Sequence, residues 1–424
     1  MGLPLALVFA HAGAKVIGVD IDEEKVRLIN KGINVLPEEP GVDELLSRVL
    51  NNGNFEATID GMEALKHSDL TVVLVPTLVD ENKVPRLEGV FSWARIFAET
   101  LKEKEDGIFI VESTVPPGTC EEIIKLIEKE SGLRVGKDFG VAHAPERTMS
   151  GRVIKDITES YPKIVGASDP ETLEVVKGIY ETINKRGVIA VSSLTAAEAV
   201  KVFEGIYRDV NIALANELAI YAEKLGIDVW EVIDAANSQP YCHIHRPGAG
   251  VGGHCIPVYP YFILNSEHRF GVRFDLIRKA RERNETMPYH VVDLVIRGLN
   301  KVRKPVNGSS ILIVGLAYRP GVRERRFSPS IEIIRSLKEL GGEIYVYDPA
   351  YNCEELERMG YRCWRGENVD AVVIVTEYYE ILELLRRREH GLAYAQVVVD
   401  ARGITTVREL RKAGYEVIKL GSSV

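Results

Sequence analysis

The run Met1-Gly-Leu-Pro-Leu-Ala-Leu-Val-Phe-Ala10-His-Ala-Gly-Ala-Lys-Val-Ile-Gly-Val-Asp20 decides how the chain is read. Gly2-Leu3-Pro4 opens an apolar helix over 5–11, Gly13 ends it, and 16–20 is a short buried strand that finishes in an acid. This is the later part of a dinucleotide-binding unit. There a strand and G-x-G-x-x-G lead into a helix, and an acid about 20 residues on meets the ribose hydroxyls. Asp20 stands at the place of that acid and Gly2 at the place of the third glycine. The first strand and the first two glycines of such a unit would precede Met1, so the expectation is a start read too late or a trimmed chain. A doubly wound sheet lacking its central first strand would expose apolar surface and unpaired backbone groups.

Strand–helix alternation continues from there. The pattern predicts strands over 70–75 and 108–112, each running into a Pro- and Thr-bearing loop, Val75-Pro76-Thr77 and Ser113-Thr-Val-Pro-Pro-Gly-Thr119. Ligands of open α/β sheets bind beyond the carboxyl ends of strands, which places Thr77 and Thr114 to meet a cofactor. The same hydroxyls are also suited to capping the next helix. Further strands are expected over 139–144, 163–166 and 188–191. Thr195-Ala-Ala-Glu198 reads as a capping box opening a long helix to about Leu225. Lys201, Gly205 and Arg208 share one face of it. A second long helix is expected over 274–300, a linker over 301–309, and a second α/β unit with strands over 310–315, 343–347, 371–376 and 397–400.

In Pro247-Gly-Ala-Gly-Val-Gly-Gly-His-Cys255-Ile-Pro257, four glycines crowd one cysteine between two prolines. Glycine serves where backbone takes positive φ or lies against another group, so the thiol is placed where a substrate can reach it.

The totals bound the class. A chain of 424 residues exceeds one hydrophobic core and predicts two or three domains. No apolar run is long enough to span a bilayer and no basic stretch precedes 3–10, so a cytoplasmic location is expected, with no membrane partner. A net charge of −9 argues against a nucleic-acid binder. The five cysteines include no C-x-x-C pair, which suits reduced thiols and offers no metal framework; no metal is expected.

The motifs resemble, nearly end to end, the UDP-glucose/GDP-mannose dehydrogenase family. The resemblance covers Gly2-Leu-Pro4 with Asp20, the loop Glu112–Thr119, Ala144-Pro-Glu-Arg147 and Arg208-Asp-Val-Asn-Ile-Ala213. It continues through the cysteine loop, Gly315-Leu-Ala-Tyr318, Ser328-Pro329 and Tyr347-Asp-Pro349. Within the family, Tyr241-Cys-His-Ile-His245 and Ala144-Pro-Glu-Arg-Thr148 look most like UDP-N-acetylmannosamine dehydrogenases. The resemblance implies two Rossmann-like doubly wound domains joined by a central long-helix region: 1–192 for NAD, 193–300 for the cysteine loop and dimerisation, 301–424 for the UDP-sugar.

It also implies a four-electron oxidation of a nucleotide-sugar C6 alcohol to a carboxylate with NAD. Cys255 would carry a thiohemiacetal and then a thioester, Lys201 would stabilise the oxyanion, Glu146 would act as general base, and Thr114 would sit near the nicotinamide or a water. Gly2, Asp20, Lys25, Thr77 and Thr114 would contact NAD. Arg147, Arg208, His243, His245, Gly252 and Arg326 would contact the UDP-sugar, in a homodimer or higher homo-oligomer. Three features depart from the family pattern: Gly205 where an Asn is usual, Tyr259 where an Asp is usual, and Arg323-Glu-Arg-Arg-Phe327 where acidic residues are usual. Gly205, Tyr259 and the short N-terminus motivate the alternative of a weakened paralogue that binds nucleotide sugar without turnover. The same chemistry on UDP-glucose or UDP-N-acetylglucosamine is a third reading.

Overall fold

The computed structural model describes residues 1–104 and 106–422, which form two compact units. The first is Met1–Glu204 with Tyr261–Arg269; the second holds Gly205–Pro260 and the chain from Phe270 onward.

In the first unit, helix α1 (Gly2–His11) precedes strand β1 (Val16–Val19), which pairs in parallel with β2 (Phe55–Thr58). A separate five-stranded sheet runs in the order β3 (Leu70–Val73), β4 (Ile108–Val111), β5 (Gly140–His143), β6 (Lys163–Ala167), β7 (Val188–Ala190). Its neighbours are parallel except β5 and β6. Side chains of β4 alternate between two cores, as the period of a strand requires. Phe109 and Val111 pack with Phe97, Ile123 and Val141, whereas Ile110 packs with Leu5, Val8, Val165 and Tyr180. Cover on both faces explains why the strand is a continuous apolar run. Helix α2 (Thr119–Ser131) follows β4, and the 32-residue helix α3 (Leu194–Leu225) follows β7. The expected capping box at 195–198 is not formed. Helix α3 begins two residues before the start that cap implies, Ser193 Oγ accepts the N–H of Ala196 at 3.1 Å, and the Glu198 carboxylate turns to another helix.

The second unit is a fully parallel six-stranded sheet backed by helix α4 (Asp275–Lys301) and helix α5 (Pro329–Glu339). Its strands are β8 (Ser310–Val314), β9 (Glu343–Tyr347), β10 (Arg362–Cys363), β11 (Ala371–Ile374), β12 (Val397–Asp400) and β13 (Glu416–Lys419), in the order β10-β9-β8-β11-β12-β13. That is the doubly wound order of dinucleotide folds, with the reversal beside β8. Val295, Leu299, Ile333 and Leu337 cover one face over Ile311, Ile313, Val373 and Val399; Leu382 and Leu385 cover the other over Leu312, Val372 and Val398. Both units are therefore the α/β architecture the sequence predicts, with the ends of the expected strands within two residues of expectation. Among the described residues no helix is long and apolar enough to cross a membrane.

The expectation of uniformly reduced thiols is overturned at Cys353 and Cys363, which form a disulfide with their Cα atoms 5.2 Å apart. Neither parity nor the lack of C-x-x-C reveals a pair that a six-residue helix (Cys353–Arg358) and a return turn into β10 bring together. Closing so short a loop stabilises by about 2–3 kcal/mol. The denatured, unreduced chain should titrate three thiols, Cys120, Cys242 and Cys255, and five after reduction. Five before reduction would contradict the pairing.

Candidate active site

In the first unit the carboxyl ends of β3 and β4 are tied together. Ser113 Oγ accepts the N–H of Val75 and donates to its carbonyl, both at 2.8 Å, and Thr77 Oγ1 donates to the Thr114 carbonyl at 2.5 Å. Thr77 thus joins two strand-end loops rather than capping a helix. Thr114 is buried beside it.

The loop then enters α2, whose first free N–H groups point at a fully buried carboxylate on α3: Gly118 N and Cys120 N donate to Glu198 at 2.5 and 2.7 Å. Burial pushes the Glu198 carboxyl up to about 7, and the two N–H bonds limit the rise. Cys120 and His143 complete this pocket, with Sγ and Nδ1 3.8 Å apart. Burial raises the thiol and lowers the imidazole to about 3, so the cluster carries little charge. The three groups are of metal-ligating type and lie within 4.8 Å of one another. They come from α2, β5 and α3, too far apart in sequence for spacing to reveal them. One helical turn beyond Glu198, Lys201 is buried as well.

Glu146 follows β5. Its N–H donates to the Glu112 carbonyl at 3.1 Å, and its side chain accepts the Thr148 N–H. Glu112 is itself buried against Lys163 at 2.8 Å and the Tyr180 hydroxyl, and burial raises its pKa. Arg147 reaches Glu204 and the Pro162 carbonyl, both at 2.6 Å, and stacks over Tyr161, so its guanidinium is engaged inside the unit. Gly2 heads α1, which has no side-chain cap, and a Cβ at Gly2 would meet nothing within 4 Å. Asp20 lies half-buried just past β1, with one oxygen on the Asp22 N–H at 2.9 Å; Lys25 is half-exposed, 3.5 Å from Asp22. An uncapped helix N-terminus with open space at its first glycine, and an acid at the strand end, fit a dinucleotide's pyrophosphate and ribose.

In the second unit, two asparagines of α3 staple the segment before the cysteine loop. Asn211 bonds the His243 carbonyl (2.9 Å) and the His245 N–H (2.8 Å), and Asn216 accepts the Gly248 N–H at 2.8 Å. His243 is exposed. His245 packs edge-on to Tyr207, and burial together with the nearby Arg208 charge lowers its pKa. The glycines of the loop are there for close approach. A Cβ at Gly252 would stand 2.5 Å from Tyr318 Cβ, and Gly253, at φ +88°, lies under the Tyr318 ring and donates its N–H to the Arg326 carbonyl at 2.9 Å. Gly252 therefore lies against Tyr318 and the Phe327 carbonyl, one residue from the Gly253 bond to the Arg326 backbone, in the loop that carries the partly buried Cys255. Asp348 holds the turn after β8 by accepting the N–H groups of Leu316 and Ala317, both at 2.6 Å, and the Tyr378 hydroxyl at 2.7 Å. Ser328 Oγ, at the head of α5, is buried with no partner.

The two departures noted in the sequence are one packing solution. Tyr259 is buried, and a Cβ on Gly205 would lie 2.5 Å from Tyr259 Cδ2. Gly205→Asn should therefore cost about 1–3 kcal/mol by overpacking, and Tyr259→Asp in the same chain should recover much of that. Additive losses in a double-mutant cycle would contradict the contact.

Glu198 fixes the sign of a pH dependence. Its folded value of about 7 exceeds the ordinary 4.5, so the folded state retains a proton that the unfolded chain has lost. Stability then falls as pH rises between those values, by about 3 kcal/mol at most. Melting curves from pH 4.5 to 7.5 should show this fall in the wild type and a flatter profile in Glu198→Gln; parallel profiles would contradict it.

Comparison with known proteins agrees with this geometry. Residues 1–184 match the NAD binding domain of the UDP-glucose/GDP-mannose dehydrogenase family, 195–286 its central domain and 312–407 its UDP binding domain. The chain is 36% identical over 407 residues to a UDP-N-acetyl-D-mannosamine dehydrogenase of Pyrococcus horikoshii, covering 95% of this chain and 93% of that protein. A solved structure of a UDP-D-ManNAc dehydrogenase from that organism superposes with a TM-score of 0.88 at 34% identity, covering 99% and 96% of the two chains. A UDP-glucose dehydrogenase from Pyrobaculum islandicum gives 0.87 at 26%, covering 100% and 95%. The chain belongs to the UDP-glucose/GDP-mannose dehydrogenase family of NAD-dependent nucleotide-sugar oxidoreductases.

Proposed function

We propose that the protein oxidises the C6 alcohol of UDP-N-acetylmannosamine to the uronate. The observation that carries this reading is Cys255, set on a glycine loop that the Tyr318–Arg326 segment clamps from one side. When bound, NAD+ would supply the acceptor for the hydride lost at each oxidation. In the reading, Cys255 attacks the aldehyde carbon after the first oxidation, and the resulting thiohemiacetal loses a second hydride to become a thioester. Lys201 supplies positive charge to the developing oxyanion. Glu146 takes a proton from the water that cleaves the thioester, freeing Cys255. Thr114, held with Thr77, orients the reacting face. Gly2, Asp20 and Lys25 border the dinucleotide; Arg208, Gly252, His243, His245 and Arg326 border the sugar nucleotide. The assignment of 1–192 to NAD, 193–300 to the cysteine loop and 301–424 to the UDP-sugar is part of the proposal, as is a cytoplasmic location.

A homodimer is proposed on the face of α3 that carries Tyr207, Leu214, Tyr221 and Leu225, each about half exposed. Their spacing of seven, seven and four places them on one stripe, and a contiguous apolar stripe marks an interaction surface.

The second reading, binding without turnover, is favoured by Tyr259 filling the room beside Gly205, since neither residue supplies an amide or a carboxylate. Absorbance at 340 nm with NAD+ decides. The expected result is two NADH per UDP-N-acetylmannosamine, little with UDP-glucose, and loss of at least a hundredfold in rate in Cys255→Ala. Sugar-nucleotide binding without NADH would install the second reading.

A further inference from the structure

We propose that Cys120, His143 and Glu198 form a binding site for a divalent d-block cation of the zinc type, where helix α2, strand β5 and helix α3 converge. On binding, the thiol and any protonated Glu198 carboxyl release their protons to solvent. Bonds from S, N and O to the metal form in place of S–H and O–H. No electron is transferred, so neither oxidant nor reductant is needed. The role is structural: the ion joins three elements and touches no reacting atom. The inference is independent of the role proposed for Cys255.

The geometry lies entirely within the first unit. Cys120 stands in the first turn of α2, His143 ends β5, and Glu198 lies near the start of α3. All three are fully buried. Their ligand atoms lie within 4.8 Å of one another, with Cys120 Sγ and His143 Nδ1 3.8 Å apart. Zinc bonds of about 2.0 Å to N or O and about 2.3 Å to S set neighbouring donors roughly 3.5 Å apart. The side chains would therefore close in by about 1 Å at the widest. Glu198 can offer both oxygens. One accepts the Gly118 N–H and the other the Cys120 N–H, and each carboxylate oxygen has a second lone pair. Sγ, Nδ1 and the two oxygens then make the four donors of a structural site.

Two observations beyond the clustering point to a ligand. Among the described residues His143 is poorly satisfied: Nε2 is buried without a hydrogen-bond partner, and Nδ1 faces only a thiol, a weak donor and weak acceptor. Buried polar groups are normally fully bonded, so an imidazole in this state calls for a stronger partner. The charges also balance. A thiolate and a carboxylate carry one negative charge each and a neutral imidazole none, which cancels a dication, so the filled site brings no net charge into the interior. Burial, then the Lys163 charge on β6, lowers the imidazole to about 3 and keeps it in the neutral form that ligates. The other charge acting on the trio, Glu121 of α2, raises the thiol and favours a cation. A bound ion holds Glu198 ionised, so the fall in stability with pH worked out above belongs to the metal-free protein.

The test is metal content and cobalt absorption of the full chain, produced in defined medium with zinc or with cobalt and passed through gel filtration. The wild type should carry about one ion per chain, and the cobalt form should show a thiolate-to-metal charge-transfer band. Cys120→Ala and His143→Gln should each lower the content by more than the roughly tenfold that loss of an outer partner costs. The double variant Cys242→Ala/Cys255→Ala should keep both the ion and the band. With Cys353 and Cys363 bridged, that variant leaves Cys120 as the one free thiol, and it reads the site with the buried trio intact even where a single variant fails to fold. Less than about a tenth of an ion per chain in the wild type overturns the proposal. So does full metal content in either single variant, or loss of the band from the double variant. None of these readouts uses NAD+ or sugar, so the result stands apart from whether the protein turns over.

Discussion

A carboxylate taken out of water must find donors, and two such carboxylates on α3 organise this chain. Glu198 and Asp209 are both fully buried. Glu198 takes the open N–H groups at the head of α2; Asp209 takes Arg281 of α4 at 2.5 Å and Asn284 at 2.8 Å. Breaking either contact would strand a buried charge or unpaired amides, at a cost of several kcal/mol. Each therefore fixes the rotation of α3 about its axis in its own unit. With rotation fixed, Lys201 follows Glu198 by one turn and is buried, and Asn211 and Asn216 follow Asp209 and bond the backbone of 243–248.

Much of this was legible in the sequence where local chemistry and structure coincide. Strand–helix alternation gave both α/β units, because strands covered on two faces must be continuous apolar runs, as β4 and β8 are. The glycine loop was legible too. Gly252 and Gly253 have no room for a Cβ, and that constraint is written in the residue type itself. What could not be read depends on groups distant in sequence. Glu198 has the spacing of a capping box for its own helix, yet it caps one that starts 79 positions earlier. Cys353 and Cys363 form a crosslink that no counting rule exposes. Asn211 and Asp348 sit inside motifs that were noticed, but their work, bonding backbone in other loops, is visible only in three dimensions.

Gly205 and Tyr259 show how stability and chemistry compete for one place. A buried aromatic ring against a bare glycine packs well and brings neither an amide nor a carboxylate. Tyr318 serves both ends, pressing on the glycines and holding Glu324 through its own N–H. The same few contacts thus set the packing of the cysteine loop and the course of the segment that carries Glu324.

The account depends most on Cys255 bonding covalently to the sugar carbon. Intact-protein and peptide mass spectrometry of Glu146→Gln, incubated with NAD+ and UDP-N-acetylmannosamine and quenched in acid, reads this directly. The account predicts an acyl adduct of the nucleotide sugar on the Cys255 peptide, absent when NAD+ is omitted. NADH release with Cys255 unmodified, or an adduct on Cys120 or Cys242 instead, would contradict it.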